Sequence, residues 1–253
     1  MCRYSESILL TLLFVVVVAG ACPVKAADSS IHELGEDLRV EPVAPGVWRH
    51  VSIKIVPQFG GVPANGLIVV GEESAALIDT PWTDEQSALL FEFAERELGV
   101  KIAHVVATHS HGDCMGGLDE AHRRGAQSYA MALTAEFAKS AGDPIPQRTF
   151  TEDYRISLGG IDLELRYFGG GHTRDNIVVW LPQRKLLFGG CLVKRKGGSP
   201  GYTAEADLSA WPETIRKVIA AFPEATIVVP GHGSPGTVDY LKYTIELAEG
   251  LEQ

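Results

Sequence analysis

The chain has 253 residues, 45% of them hydrophobic and 21% charged, with a formal net charge of −10. That size fits one large domain or two small ones, and the mix is ordinary for a globular protein. No basic run is present to meet a phosphate backbone, so nucleic acid is excluded as an expected partner. Residues 1–26 read as a secretory signal. Arg3 gives a weak positive start, residues 8–19 form the apolar run, and Val24-Lys25-Ala26 offers cleavage after Ala26. The rival reading is lipoprotein attachment at Cys22, through an Ala19-Gly20-Ala21-Cys22 box that lacks the usual branched aliphatic residue. The apolar run is short for a bilayer span, and no other segment is a candidate for one. The expectation is a periplasmic protein without membrane insertion, with residues 27–253 as a single domain.

The elements then follow in chain order. Residues 47–55 alternate like a strand, and the apolar runs 66–70 and 75–78 flank a turn at residues 71–74, which reads as a hairpin. Thr83 has the character of a helix N-cap, with Gln86 closing a capping box. The helix after it sets Leu89, Leu90, Phe93, Ala94 and Leu98 inward and stops at Gly99. Residues 102–107 form a buried strand, and a helix is predicted over 116–124. Runs 156–158 and 161–168 flank Gly159-Gly160, and runs 176–181 and 185–188 flank Pro182-Gln183-Arg184. Pro212 opens a helix, residues 226–229 form another strand, and residues 238–250 a last amphipathic helix. So many hairpins exclude an all-parallel sheet. Two sheets packed face to face, with helices outside, fit this order.

Six potential metal ligands stand just beyond the apolar runs. His109, His111 and Asp113 alternate in Thr108-His109-Ser110-His111-Gly112-Asp113, while His172, Cys191 and His232 lie far apart, each beside glycine. Strands thus deliver all six to loop ends, where a rigid scaffold carries chemistry, and the flanking glycines permit sharp turns. A lone histidine is usually a surface or hydrogen-bonded residue, and His32, His50, His104 and His122 are read that way. Three imidazoles beside a carboxylate, a thiolate and a fourth imidazole are what a pair of zinc ions requires. Cys114 and Cys191 remain after signal removal; an exported chain can join two cysteines in a disulfide, but the Gly-Gly-Cys191 turn suits zinc equally.

The segments Asn65-Gly66-Leu67-Ile68-Val69, Leu77-Ile78-Asp79-Thr80-Pro81-Trp82, the His109 run through Gly117, Gly171-His172-Thr173-Arg174-Asp175-Asn176, Gly189-Gly190-Cys191-Leu192-Val193-Lys194 and Pro230-Gly231-His232-Gly233 carry a resemblance. The chain resembles the class B metallo-β-lactamases of the first subclass, from about Leu38 onward. That resemblance implies an α+β fold, an αββα sandwich of two packed mixed sheets, with the metals in a groove at one edge. It implies two zinc ions: one on His109, His111 and His172, the other on Asp113, Cys191 and His232. The ligands also speak to subclass, since the single-zinc subclass has asparagine at the place of His109 and the third lacks the cysteine. Thioesterases and phosphodiesterases of the superfamily usually have histidine and aspartate where this chain has Cys114 and Cys191.

The activity implied is hydrolysis of penicillins, cephalosporins and carbapenems by a zinc-held hydroxide, in a protein that is monomeric by family default. In the same reading Lys194 clamps the substrate carboxylate, Phe59 and Val62 belong to a flap over the groove, and Asp79 orients ligands from behind. Trp82 is read as core packing, and Arg195 and Lys196 as ordinary loop charges. Tyr202 replaces an asparagine common in the family and carries no assigned role. Cys114 is either a small packing residue or a thiol near the second zinc, able to pair with Cys191 on oxidation. Two alternatives stay open: hydrolysis of another ester, thioester or lactone, and a non-catalytic metal-binding domain.

Overall fold

The computed structural model describes residues 30–251. The signal, its cleavage after Ala26 and the Cys22 alternative lie outside them. The first sheet runs in sequence order: β1 (His32–Gly35), β2 (Leu38–Ala44), β3 (Val47–Val56), β4 (Gly60–Val70), β5 (Ala75–Ile78), β6 (Ile102–Val106), β7 (Gln127–Met131) and β8 (Arg148–Phe150). Strands β1 to β5 pair antiparallel through short turns. From β5 to β8 the pairing is parallel, because helices cross over between the strands: α1 (Asp84–Arg96), α2 (Gly112–Met115), α3 (Leu118–Arg123) and α4 (Ala132–Ala141). The second sheet holds β9 (Asp153–Ser157), β10 (Asp162–Arg166), β11 (Val178–Leu181), β12 (Leu186–Gly190) and β13 (Ile227–Pro230). Its first four strands are antiparallel, and α5 (Trp211–Ala221) carries the chain across to β13, parallel to β12. A final helix, α6 (Asp239–Leu251), packs against α5.

The period-two alternation of the strands explains the layering. On β4, Leu67 and Val69 point to the second sheet, where they join Leu163, Leu165, Val179, Leu181, Phe188 and Val229. Ile68, between them, faces outward with Leu77 and Val105 toward Leu90, Phe91 and Ala94 of α1 and Leu118 of α3. On the far side, Val178, Trp180 and Leu187 meet Trp211, Ile215 and Val218 of α5 and Leu241 of α6. The four layers are helix, sheet, sheet, helix, and the two-sheet expectation holds. Burying each large apolar side chain contributes about 1.5–3 kcal/mol, so this packing is the main force that holds the layers together.

Several local expectations need correction. The helix expected over 116–124 is present as α3 but starts later, after Gly116-Gly117, and a separate turn, α2, precedes it and contains Asp113. A Cβ at Gly116 would sit 2.5 Å from the Trp82 carbonyl carbon, so the chain passes too closely there for any side chain. Thr83 does cap α1, accepting from the Gln86 amide at 3.2 Å. Gln86 does not close the box, because its amide nitrogen bonds Asp37 and the Ile53 carbonyl instead. Leu89 is 38% exposed, whereas Phe91 is buried: α1 lies rotated from the expected face. Strands β1, β2, β7 and β8 and helix α4 were not anticipated. Among the described residues no helix is long and apolar enough to cross a membrane.

Candidate metal centre

The chain end of β6 carries His109 and His111, and α2 turns at once to present Asp113. What fixes this corner is Asp79, just beyond β5. Its carboxylate accepts from the Thr108 amide at 2.7 Å and from the Thr108 hydroxyl at 2.8 Å. Asp79 is fully buried and holds a left-handed backbone (φ 55), which a non-glycine residue adopts only where its surroundings demand it. Burial pushes its carboxyl well above the usual range, and the Thr108 and Cys114 hydrogen bonds pull against that. The buried His50 ring bonds the Asp79 carbonyl at 2.9 Å and locks the same turn from the other side.

His109, His111 and His172 bring one ligand nitrogen each within 4.8 Å of one another. Their rings meet edge to face, with centroids 4.6 to 5.2 Å apart. Burial keeps His109 and His172 below the usual imidazole range, and the Lys194 charge adds to this at His172. They are therefore neutral and able to coordinate at neutral pH. His109 Nε2 and His172 Nδ1 are buried without a hydrogen-bond partner. An orphaned buried nitrogen costs about 1–3 kcal/mol, and a coordinated cation removes that cost.

The second set comes mainly from the other sheet. Cys191 follows β12 and His232 follows β13, and a Gly190 with φ 52 turns the chain before the cysteine. Cys191 Sγ lies 3.3 Å from Asp113 Oδ2 and 3.3 Å from His232 Nε2, and His232 Nε2 lies 3.2 Å from Asp113. Burial alone would raise Asp113, but the His232 hydrogen bond and the neighbouring histidine charges hold it well below the usual carboxylate range. The Cys114 thiol, hydrogen-bonded to Cys191, holds that thiol well below its ordinary range, against the effect of burial. His232 goes the other way: burial lowers it, but Cys191 and Asp113 hold it well above the usual imidazole range. Its proton thus does the work of a cation between two anions. A divalent metal fits that charge arrangement, and the carboxylate, thiolate and imidazole set suits zinc.

The His232 turn is itself braced. Asn65 donates to the Pro230 carbonyl at 2.8 Å and to the Gly233 carbonyl at 2.6 Å, and the buried Arg49 also reaches the Gly233 carbonyl at 2.6 Å. The Pro63 carbonyl takes the other ring nitrogen, Nδ1, at 2.6 Å, leaving Nε2 to face Cys191 and Asp113.

Four of the candidate ligands, His111, Asp113, His172 and His232, line a cavity of about 800 Å³, with residues of the β3–β4 hairpin tip and of the 197–206 loop among its other walls. Phe59, 54% exposed, and half-buried Val62 both line it, at the place expected of a flap. Lys194 lines it too: its side chain is buried with Nζ 5.4 Å above the Trp211 ring, while its amide is tied to Thr244. Tyr202 sets its ring edge on His111, centroids 5.7 Å apart.

The structure brings every predicted ligand together, moves two residues that the sequence placed elsewhere, and decides between the two readings of a third. Trp82 is not core: it is half-buried, lines the cavity, and donates from Nε1 to the Val62 carbonyl at 3.1 Å. Arg195 is a wall residue rather than a plain loop charge. Cys114 is no mere packing residue, since its thiol sits 3.2 Å from His109 Nδ1 and within 4.8 Å of the Asp113 and Cys191 ligand atoms. Cys114 and Cys191 are both free thiols, so no disulfide joins them. The other histidines are hydrogen-bonded or in ring contact as expected, His104 to Tyr129, His122 to Ser128 and His32 against Trp48. Glu205 and Arg49 were missed altogether. Asp79 and Asn65, both within motifs that carry the resemblance, are the braces with a signal in the sequence.

A family model described as the metallo-beta-lactamase superfamily matches residues 59–232. The chain is 41% identical to a metallo-beta-lactamase type 2 of Bacteroides fragilis, over 95% of this chain and 94% of that one. It is 36% identical to a metallo-beta-lactamase type 2 of Pseudomonas aeruginosa, over 95% of each. A solved metallo-beta-lactamase from Pontibacter korlensis superposes with a TM-score of 0.81 at 40% identity, covering 84% of this chain and 99% of that one.

Proposed function

Since the chain belongs to the metallo-beta-lactamase superfamily and is a hydrolase, we propose that it opens the β-lactam amide bond of penicillins, cephalosporins and carbapenems. Two zinc ions would be held, one by His109, His111 and His172, the other by Asp113, Cys191 and His232. The result for the cell is resistance to these antibiotics. The observation that carries this reading is the convergence of both ligand sets beside one cavity that also holds the buried Lys194.

Bound there, zinc lowers the pKa of a coordinated water from about 15.7 to about 7 and polarises a carbonyl oxygen. The protein supplies the rest. Lys194, already desolvated and aimed into the cavity, binds the carboxylate that these antibiotics carry. Asp113, held ionised, accepts a hydrogen bond from the attacking water and orients it. Phe59, Val62 and Trp82 cover apolar substituents and exclude bulk water, which strengthens every charge interaction beneath them. Water adds to the carbonyl carbon, the ring C–N bond breaks, and the nitrogen takes up a proton. No side chain forms a covalent intermediate. We read the chain as exported to the periplasm through residues 1–26, where such antibiotics arrive.

Ring-opening absorbance with a carbapenem, using the purified protein with and without a zinc chelator, tests this. Turnover that the chelator abolishes and zinc restores is the expected outcome. A protein with both zincs bound and no turnover of carbapenem, cephalosporin or penicillin, yet active on a thioester or lactone, would belong to the other hydrolases.

A further inference from the structure

We propose that Glu205 is a positioning residue for the first metal site: its carboxylate holds the His111 ring and so ties the 197–206 loop to the metal. This rests on the reading of His111 as a ligand. Glu205 Oε2 lies 3.0 Å from His111 Nε2. That contact leaves Nδ1 as the ring nitrogen free for a metal, so one hydrogen bond selects the tautomer. Carboxylates behind metal-bound imidazoles act this way, fixing ring orientation and raising ligand basicity.

Other observations give the pair its purpose. Among the described residues Glu205 meets no lysine or arginine, so nothing competes for its carboxylate. Its backbone is anchored close by: the Asp207 amide donates to the Gly171 carbonyl at 2.8 Å, one residue before the ligand His172. At the other end of the loop the Tyr243 hydroxyl donates to the Gly198 carbonyl at 2.7 Å. Between these anchors Tyr202 and Glu205 both press on His111, and Ser199, Gly201 and Tyr202 line the cavity. Whatever presses on this loop from the cavity therefore presses on a ligand ring. Neither local sequence nor burial marks Glu205, whose side chain is 55% exposed.

The test is metal affinity. Metal-free parent, Glu205→Ala and Glu205→Gln are titrated with zinc against a chromophoric chelator, and separately with cobalt, whose thiolate charge-transfer band reports the Cys191 site. Glu205→Ala should weaken one zinc site about 10–100-fold. The cobalt–thiolate band should titrate as in the parent. Glu205→Gln, which keeps an acceptor oxygen but no charge, should fall between. The proposal is overturned if Glu205→Ala binds both ions like the parent, or if both sites weaken equally in Ala and Gln variants alike, as a general loosening of the loop would cause. A parent inactive on β-lactams whose Glu205→Ala variant still loses one site would sink the proposed function alone. An active parent with unweakened Glu205→Ala would sink this inference alone.

Discussion

Lys194 shows how one side chain's surroundings set its use. The residue is only 7% exposed, a cost to its charge that an anion would remove, and the cavity it lines provides room for one. Lys194→Ala should raise KM for carboxylate-bearing β-lactams about tenfold or more, the worth of a charge-assisted hydrogen bond, with kcat changed less. Substrates esterified at that carboxylate should show no such difference, and equal KM values for parent and variant would refute the clamp. His50 makes a different prediction. Burial lowers it from 6.5 to about 4, with Arg49 adding to the shift and the Asp79 carbonyl opposing it. As pH falls below 6.5 the unfolded chain takes up this proton and the folded one does not, until about 4. Folding stability contributed by a neutral His50 is thus present above 6.5 and lost through that window, by at most about 3 kcal/mol. Urea unfolding of the metal-free protein at about pH 7 and about pH 4 should show that loss in the parent and a smaller one in His50→Gln. Parallel losses would show that His50 is not its source.

At the level of elements, the site depends on a few points where backbones nearly touch. Gly66 on β4 is one of them: a Cβ there would run into the His50 ring and come within 2.5 Å of the Ile78 and Asp79 carbonyl oxygens. Those oxygens belong to the turn that holds Thr108 and, through it, His109. Overpacking usually costs about 1–3 kcal/mol, and a clash with two backbone carbonyls belongs at the upper end. Gly66→Ala should therefore lower both the unfolding midpoint and zinc affinity. A variant of parental stability with two tightly bound zincs would mean that the β4–β5 register tolerates a shift. The β3–β4 hairpin illustrates the opposite design. Its strands pair in register as far as Gly60, yet the tip at Phe59 projects over the cavity, with Trp82 holding Val62 from below.

Across the whole molecule each proposed metal joins the two sheets. The first would take His109 and His111 from beyond β6 and His172 from the second sheet; the second would take Asp113 from α2 with Cys191 and His232 from beyond β12 and β13. A ligand that binds only the folded state stabilises it by about 2.7 kcal/mol at a hundredfold excess over Kd. For a domain of this size that amounts to about 5–10 °C per site. Chelation should lower the melting temperature by that amount for each zinc removed, and Cys191→Ala should forfeit roughly the share of one site. A melting temperature indifferent to chelator would mean that the sheets are already locked without metal.

How much was legible in the sequence divides along physical lines. The clustering of the six candidate ligands could be read because metal chemistry admits few residue types, and because strands deliver them to glycine-rich turns. The hairpins at residues 71–74 and 159–160, the Thr83 cap and the helix opened by Pro212 are local, set by backbone preferences within a few residues. The two-sheet sandwich followed from the abundance of hairpins together with helices in both halves. What the sequence left open depends on approach between distant segments. Gln86 abandons its capping role because Asp37 and Ile53 arrive beside it. Trp82 turns from core to cavity wall because the β3–β4 tip offers the Val62 carbonyl. Cys114 gains its place against Cys191, and Glu205 its place on His111, only when loops as many as 94 residues apart in the chain fold onto one sheet edge. Side-chain type fixes what a residue can do; the tertiary structure decides which of those things it does, because partners and burial are set by distance in space.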